Sequence, residues 1–308
     1  MLSNHQWSTA IINEHNNMIS VSKYFNLPVE SLTPAIEEEF FSSIRLRNGT
    51  YKTTFQKRFT DINKQIISLL KDTFIKVDNI LDIGISSGIS TLELFEELSA
   101  AGYTSHIVGT DMLINAYIVR VFPGCSALVD DKSYPLRFHF FNWDMKPWII
   151  SKDYYNGYFI FRKIVNLVFT SRAKSLIDRS KSKNIQQVKL ITPKLRGHSN
   201  INIQLDDITD YNHSYKGKYN FIRAANILNV NYFTQPELTA IIGNIKRYIT
   251  KPYGTLLVVR THEDGSNHGT LFNIEDNRRC EIIKRFGNGS EIEDIVLGSM
   301  SEQWQINS

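Results

Sequence analysis

Apolar positions along this chain fall into two periods. At a spacing near 3.6 residues, Phe59, Ile62, Ile66, Ile67 and Leu70 line one face of the segment from Phe55 to Phe74, and Leu238, Ile241, Ile242, Ile245 and Ile249 line one face of Gln235 to Ile249. Both stretches predict amphipathic helices. Strands are predicted at Ile80 to Ile83, His106 to Asp111, Asn200 to Leu205, Lys218 to Asn226 and Thr255 to Arg260, the first and last of them apolar enough to be buried. Further strands are expected at Thr270 to Ile274, Cys280 to Phe286 and Glu291 to Val296, forming an antiparallel hairpin for which Gly287-Asn288-Gly289 suits the turn. Before the first strand, residues 1 to 78 read as helical, with a capped helix start in Ser31 to Glu39. Phe40, Phe41 and Ile44 are expected to pack on the main domain.

The stretch Asn79-Ile-Leu-Asp-Ile-Gly-Ile-Ser-Ser-Gly-Ile-Ser-Thr91 organises the rest. A strand breaks into a turn, Gly84 to Gly88, and then into a helix, Ser90 to Leu98. Small residues at 84, 86, 87 and 88 permit close approach of a ligand, and the unpaired N–H groups of a helix start favour an anionic or polar group there. A dinucleotide turn wants G-x-G-x-x-G. Here the glycines are at 84 and 88 with Ser86 between them, none stands at 89, and Asp82 lies two positions before the first. An ordinary strand-to-helix turn that binds nothing is the plain alternative.

The pattern D-x-G-x-S-x-G resembles the first motif of class I S-adenosylmethionine-dependent methyltransferases, with Ser86 where a third glycine is usual. Asp111 ends the second strand, 27 residues beyond Gly84, where a carboxylate accepts hydrogen bonds from both hydroxyls of a ribose. The resemblance implies an acid after the third strand for the adenine amine: Asp206 or Asp207, with Asp207 favoured. The run Arg223-Ala-Ala-Asn-Ile-Leu228, then Tyr232-Phe233 and Lys251-Pro-Tyr-Gly254, is similar to the corresponding part of small-molecule and chemotaxis-receptor methyltransferases. Two extra residues precede Asn231-Tyr232, and Tyr253 replaces a glycine. The resemblance covers residues 79 to 112 and 200 to 297. It implies a Rossmann-like, mostly parallel seven-stranded sheet with helices on both faces, and S-adenosyl-L-methionine as cofactor. Asp82, Gly84, Ser86, Ser87, Gly88, Asp111, Met112, Asp206, Asp207, Ile208, Ala224 and Asn226 would line its site.

The expected organisation is an N-terminal helical cap (1–78), a cofactor-binding core (79–112 and 200–308) and an insertion (113–199). Within the insertion, Leu136 to Phe141 alternates like a strand, and Tyr158 to Ile177, if helical, confines polar residues to a narrow stripe: Arg162, Lys163, Asn166, Thr170 and Lys174. The rest of that helix is too apolar for a free surface, yet too short to span a bilayer. It reads as a substrate lid packed on the main domain, as an interfacial helix on an anionic membrane through residues 154–183, or as a dimer or RNA-binding surface.

Charge sharpens this picture. The chain of 308 residues carries a formal net charge of +4, yet Arg162 to Arg196 holds ten basic residues against Asp178 alone. Such asymmetry points to an anionic partner, with a solvated basic face as the alternative. No aromatic residue interleaves the cations from Thr170 to Gln187, which argues against nucleic acid. The 42% hydrophobic content suffices for a core. Two distant cysteines, Cys125 and Cys280, fit neither a disulfide framework nor structural zinc, and no metal is expected. A polar Met1 to Ala10 reads as no signal peptide, and a cytoplasmic setting is expected.

Methyl transfer asks chiefly for in-line placement and, for a weakly acidic acceptor, a general base. Reacting groups belong outside the C-terminal ends of the parallel strands. His262 is the preferred base, since imidazole exchanges protons near neutral pH, with Arg223 and Tyr232 beside it. A structural histidine is the plain alternative. Absence of N/D-P-P-Y/F and of Pro-Cys argues against methylation of base or glutamine amines and of pyrimidine C5. The expected acceptor is an O or N atom of a small, lipid-like or aromatic molecule. RNA or protein methylation, a non-catalytic cofactor-binding role and a homodimer remain open.

Overall fold

The computed structural model describes residues 19–73, 75–141, 143–149, 151–155, 157–179, 183–275 and 279–298. The expectation for Met1 to Ala10 lies outside them. Twelve strands appear among the described residues: β1 Asn79–Ile83, β2 His106–Asp111, β3 Asn115–Phe122, β4 Cys125–Val129, β5 Pro135–Phe140, β6 Trp143–Met145, β7 Ile185–Lys189, β8 Ile201–Leu205, β9 Phe221–Ala225, β10 Tyr253–Thr261, β11 Asn267–Glu275 and β12 Cys280–Phe286. They form two sheets in two compact units, Met1–Phe55 with Leu113–Pro193, and Gln56–Met112 with Lys194–Ser308.

The second unit holds a seven-stranded sheet in the order β12-β11-β10-β9-β1-β2-β8. The five strands from β10 to β8 are parallel, while β11 runs antiparallel to both β10 and β12. Successive side chains in a strand point to opposite faces, and both faces are covered. Ile80, Phe221, Leu257 and Val259 pack against the Thr60–Asp72 and Ile89–Ala100 helices, whereas Leu81, Ile83, Ile222, Leu256 and Val258 pack against the Gln235–Tyr248 helix. That last helix starts at a capping box: Thr234 N–H donates to Glu237 Oε2 at 2.7 Å, and Pro236 stands in the first turn, where its missing N–H costs nothing.

The predicted strands at Thr270 to Ile274 and Cys280 to Phe286 fall in β11 and β12 and pair antiparallel, whereas the last predicted strand differs from expectation. β11 follows β10 directly. Residues Glu293–Gly298 form a helix, because Ile292 and Val296, four apart, both face the core beside Leu238 and Ile242. Gly287 and Gly289, at φ +56° and +82°, turn the chain out of β12 toward that helix and are not the hairpin turn.

The first unit holds a five-stranded antiparallel sheet, β6-β5-β4-β3-β7. The insertion is therefore a folded sheet of five strands, where the sequence offered one. One face packs Val119, Ala127, Phe138 and Met145 on Val165, Phe169, Ala173 and Leu176 of the Tyr158–Asp178 helix. The helix read as a lid thus finds its packing partner in its own unit. The other face packs Ile118, Leu128 and Val188 with Tyr24, Phe40, Phe41 and Ile44. Those aromatics belong to the Val21–Asn26 and Pro34–Ser42 helices and share a core with the insertion, not with the main domain. The N-terminal cap accordingly divides: residues to Phe55 join the insertion, and Gln56 onward joins the seven-stranded unit. In the stretch of that cap before Phe55, Arg47 pairs with Asp130 at 3.2 Å, Arg45 lies near the Tyr51 and Trp148 rings, and Lys52 is buried.

Candidate functional site

The turn after β1 curls over the end of β2. Gly84 N–H and Ile85 N–H donate to the Thr110 carbonyl at 2.8 and 3.0 Å, and Ser86 N–H donates to Asp111 Oδ2 at 2.8 Å. Gly84, Ser86 and Gly88 all adopt positive φ, at +71°, +56° and +80°. Glycine does this without strain; Ser86 is held there by the Asp111 carboxylate. Gly88 caps the Ile89–Ala100 helix with no side-chain hydrogen bond, so the first amides of that helix are not met by a capping side chain.

The glycines have a second cause. A Cβ on Gly84 would stand 2.9 Å from Ile227 Cβ, and one on Gly88 would stand 2.5 Å from Leu195 Cδ1. At Gly84 the Ile227 side chain leaves no room for a larger residue, whereas at Gly88 only the tip of Leu195 would have to move and the positive φ is the constraint, in both cases independently of any ligand. Neither Ile227 nor Leu195 was singled out by the sequence, since both pack on the turn from far along the chain.

Asp82 does not reach the turn. It faces Arg223 across paired strands, Cα opposite Cα in the β1/β9 register. Arg223 Nε donates to Oδ1 at 2.8 Å, Nη2 to Oδ2 at 2.5 Å, and Thr91 Oγ1 to Oδ2 at 2.7 Å. Both partners are about 1% exposed. Arg223 thus lies inside β9, not at its exit, and its guanidinium is committed to Asp82; this removes it from the reacting groups and makes Asp82 a support for β1 and the following helix. Thr91 is a partner that sequence reading missed. Ala224 is fully buried in the core and presents nothing to a cofactor.

The acids after β8 separate. Asp207 is exposed and accepts from Thr209 N–H at 3.0 Å and Thr209 Oγ1 at 2.7 Å, which is the turn-capping role. Asp206 accepts from Asn212 Nδ2 at 3.0 Å, and burial pushes its carboxyl above the usual range. Ile208 packs partly against the core, and Met112 is 54% exposed. Asn226, at φ +60°, ties the ends of β9 and β10 together: Thr261 N–H donates to its Oδ1 at 2.7 Å.

At the end of β10 a cavity of about 420 Å³ is lined by Leu228, Arg260, His262, Asp264, Ser266, His268 and Glu291, among others. His262 is exposed in the β10–β11 turn, its ring edge-on to His268 with centroids 4.6 Å apart. His268 belongs to a hydrogen-bonded chain that the sequence did not reveal. Asn288 N–H donates to His268 Nδ1 at 2.8 Å, so the ring proton sits on Nε2 and donates to Ser266 Oγ at 2.9 Å; Ser266 Oγ in turn donates to Asp264 at 2.6 Å. The Ser266 hydroxyl and amide hold the Asp264 carboxyl below the usual range. Arg260 pairs with Glu291 at 2.6 Å on the rim. Tyr232 is 48% exposed in the loop after β9 and does not line this cavity. Among the described residues no three His, Cys, Asp or Glu side chains gather as a metal site.

No family model and no curated protein matches the chain. Solved structures overlap it loosely. The citrinin polyketide synthase CMeT domain is 14% identical over 66% of this chain and 35% of its own, at a TM-score of 0.31. The plantazolicin methyltransferase BpumL, in complex with SAH, is 13% identical over 68% and 50%, at 0.32. A protein from Pyrococcus horikoshii OT3 is 11% identical over 78% and 81%, at 0.33. The chain thus spans about a third of the first of these. Overlaps this loose leave the strand order and the side-chain geometry to carry the functional reading.

Proposed function

We propose that this chain is an S-adenosylmethionine-dependent methyltransferase with a Rossmann-like core, acting on an O or N atom of a small acceptor. The observation that carries the reading is the Ser86 N–H to Asp111 Oδ2 hydrogen bond, which fixes a carboxylate at the rim of a small-residue turn, beyond the C-terminal ends of two adjacent parallel strands. Ligands of open parallel sheets bind at such ends.

The residues fit the cofactor in part. Asp111 suits a ribose diol, and the turn with its helix start suits the polar amino-acid end. The acid for the adenine amine is less well set, because Asp207 and Asp206 each already turn Oδ1 to their own loop, toward Thr209 and Asn212. When bound, S-adenosylmethionine supplies a methyl group already activated by its sulfonium. The chain contributes placement, and His262 contributes a base at the edge of the β10 cavity, where Arg260 and Glu291 neutralise one another and leave an acceptor hydroxyl or amine to the imidazole. Two free cysteines, Cys125 and Cys280, are in keeping with a cytoplasmic setting.

Titration calorimetry of the full chain with S-adenosylmethionine and, separately, with NAD tests the reading. Binding of the sulfonium compound alone is the expected result. Binding of NAD without it would overturn the proposal.

A further inference from the structure

The Tyr158–Asp178 helix buries Val165, Phe169, Ala173 and Leu176 against its sheet, with Arg162 buried one turn earlier on Asp153 and the Lys146 carbonyl, a spacing that accounts for one face completely. A surface helix then turns polar residues outward. This one turns out Ile160 (55% exposed), Phe161, Ile164 (57%), Leu167 (73%) and Val168, with Tyr155 (90%) just ahead in Ser151–Tyr155. Exposed cations flank that stripe: Lys163 beside it, and Arg172, Lys174 and Arg179 beyond its C-terminal end, with Asp178 the one exposed acid of the helix. Lys163 Nζ lies 5.9 Å from the Phe159 ring centre, its stem along apolar surface and its charge at the edge.

We propose that this outer face docks on a membrane surface rich in anionic lipid, the helix lying in the interface plane. Among the described residues no helix is long and apolar enough to cross a membrane, and an apolar stripe edged by cations suits the boundary between acyl chains and headgroups. A second copy of the chain would bring the same cations and almost no acid to meet them. A nucleic acid would leave Ile164 and Leu167 uncovered. The inference rests on the helix alone and is independent of the proposed activity.

Co-sedimentation of the full chain with phosphatidylcholine vesicles, with and without phosphatidylserine, tests it at low and high salt. Binding is expected only with phosphatidylserine, falling as salt rises. Ile164→Asp with Leu167→Asp should weaken it at least about tenfold with an unchanged circular dichroism spectrum, because both side chains are exposed. Lys163→Gln with Arg172→Gln and Lys174→Gln should keep the fold and remove the salt dependence. No binding by the parent chain, or binding by both variants equal to the parent's at every salt concentration, would overturn the proposal. So would light scattering that finds a dimer in the parent and a monomer in the double aspartate variant, since the face would then be a contact between copies.

Discussion

The two sheets each bury an arginine–aspartate pair, and the pairs are built differently. In the seven-stranded sheet, Asp82 and Arg223 sit opposite one another in adjacent parallel strands, joined by two hydrogen bonds and supported by Thr91. In the five-stranded sheet, Arg137 Nε lies 2.9 Å from Asp144 Oδ2, close enough for an ion pair but misaligned for a hydrogen bond, and none of the three Arg137 nitrogens has a hydrogen-bond partner. Asp144 spends Oδ1 on His139 Nδ1 at 2.5 Å. Burial pushes the Asp144 carboxyl up and the Arg137 guanidinium down, and their mutual attraction opposes both shifts. Burying a charge is repaid only where geometry and hydrogen bonds are good. The first pair meets that condition at all but Arg223 Nη1, which has no hydrogen-bond partner, and it braces the strand and helix on either side of the glycine turn; the second pair does not.

Breaking the first pair should have the largest effect. Asp82→Ala leaves the Arg223 guanidinium buried and unmatched, and urea denaturation should register a loss of about 3–5 kcal/mol. Replacing the second pair together, Arg137→Met with Asp144→Leu, should be neutral or stabilising by ~1–4 kcal/mol in the same experiment. A loss from that double variant as large as for Asp82→Ala would erase the contrast. A smaller change, Thr234→Ala, removes the cap of the Gln235–Tyr248 helix and should cost ~1 kcal/mol.

The smallest expected effect is in pH dependence. Burial holds Lys246 down to about 8 and pushes the Cys280 thiol up to about 11, from ordinary values of 10.5 and 9.0. A lysine lowered on folding contributes stability that is present above 10.5 and lost as pH falls through about 8; a thiol raised on folding contributes stability that is present below 9.0 and lost as pH rises through about 11. Stability should therefore rise from pH 8 to 9, before the two contributions oppose each other, and Lys246→Met should flatten that rise. An unchanged slope in the variant would show that the ammonium is solvated.

Much of the seven-stranded unit was legible in the sequence because its elements are local. β2 coincides with the predicted His106 to Asp111, and β12 with Cys280 to Phe286. The helix over Glu293–Gly298 was missed because Ile292, Ile295 and Val296 fit either period in so short a stretch. The five-stranded sheet was harder to read. β4, β6 and β7 are only five, three and five residues long, and β4 and β7 take part of their cover from aromatics at Tyr24, Phe40 and Phe41, distant in sequence. The candidate site shows the same division. Gly84, Ser86, Gly88 and Asp111 come together as their spacing implied, whereas the fate of Asp82 depended on Arg223, which becomes its neighbour only when β9 pairs with β1. Nor does spacing alone tell that Asp207 closes its own turn on Thr209.

The proposed cofactor site turns on Asp111, the one acid among these held at the rim of the turn. Calorimetric affinity for S-adenosylmethionine should fall at least about a hundredfold in Asp111→Ala, through loss of charge-assisted hydrogen bonds to the ribose, and hardly change in Asp207→Ala. Equal affinity of the Asp111 variant and the parent would contradict it.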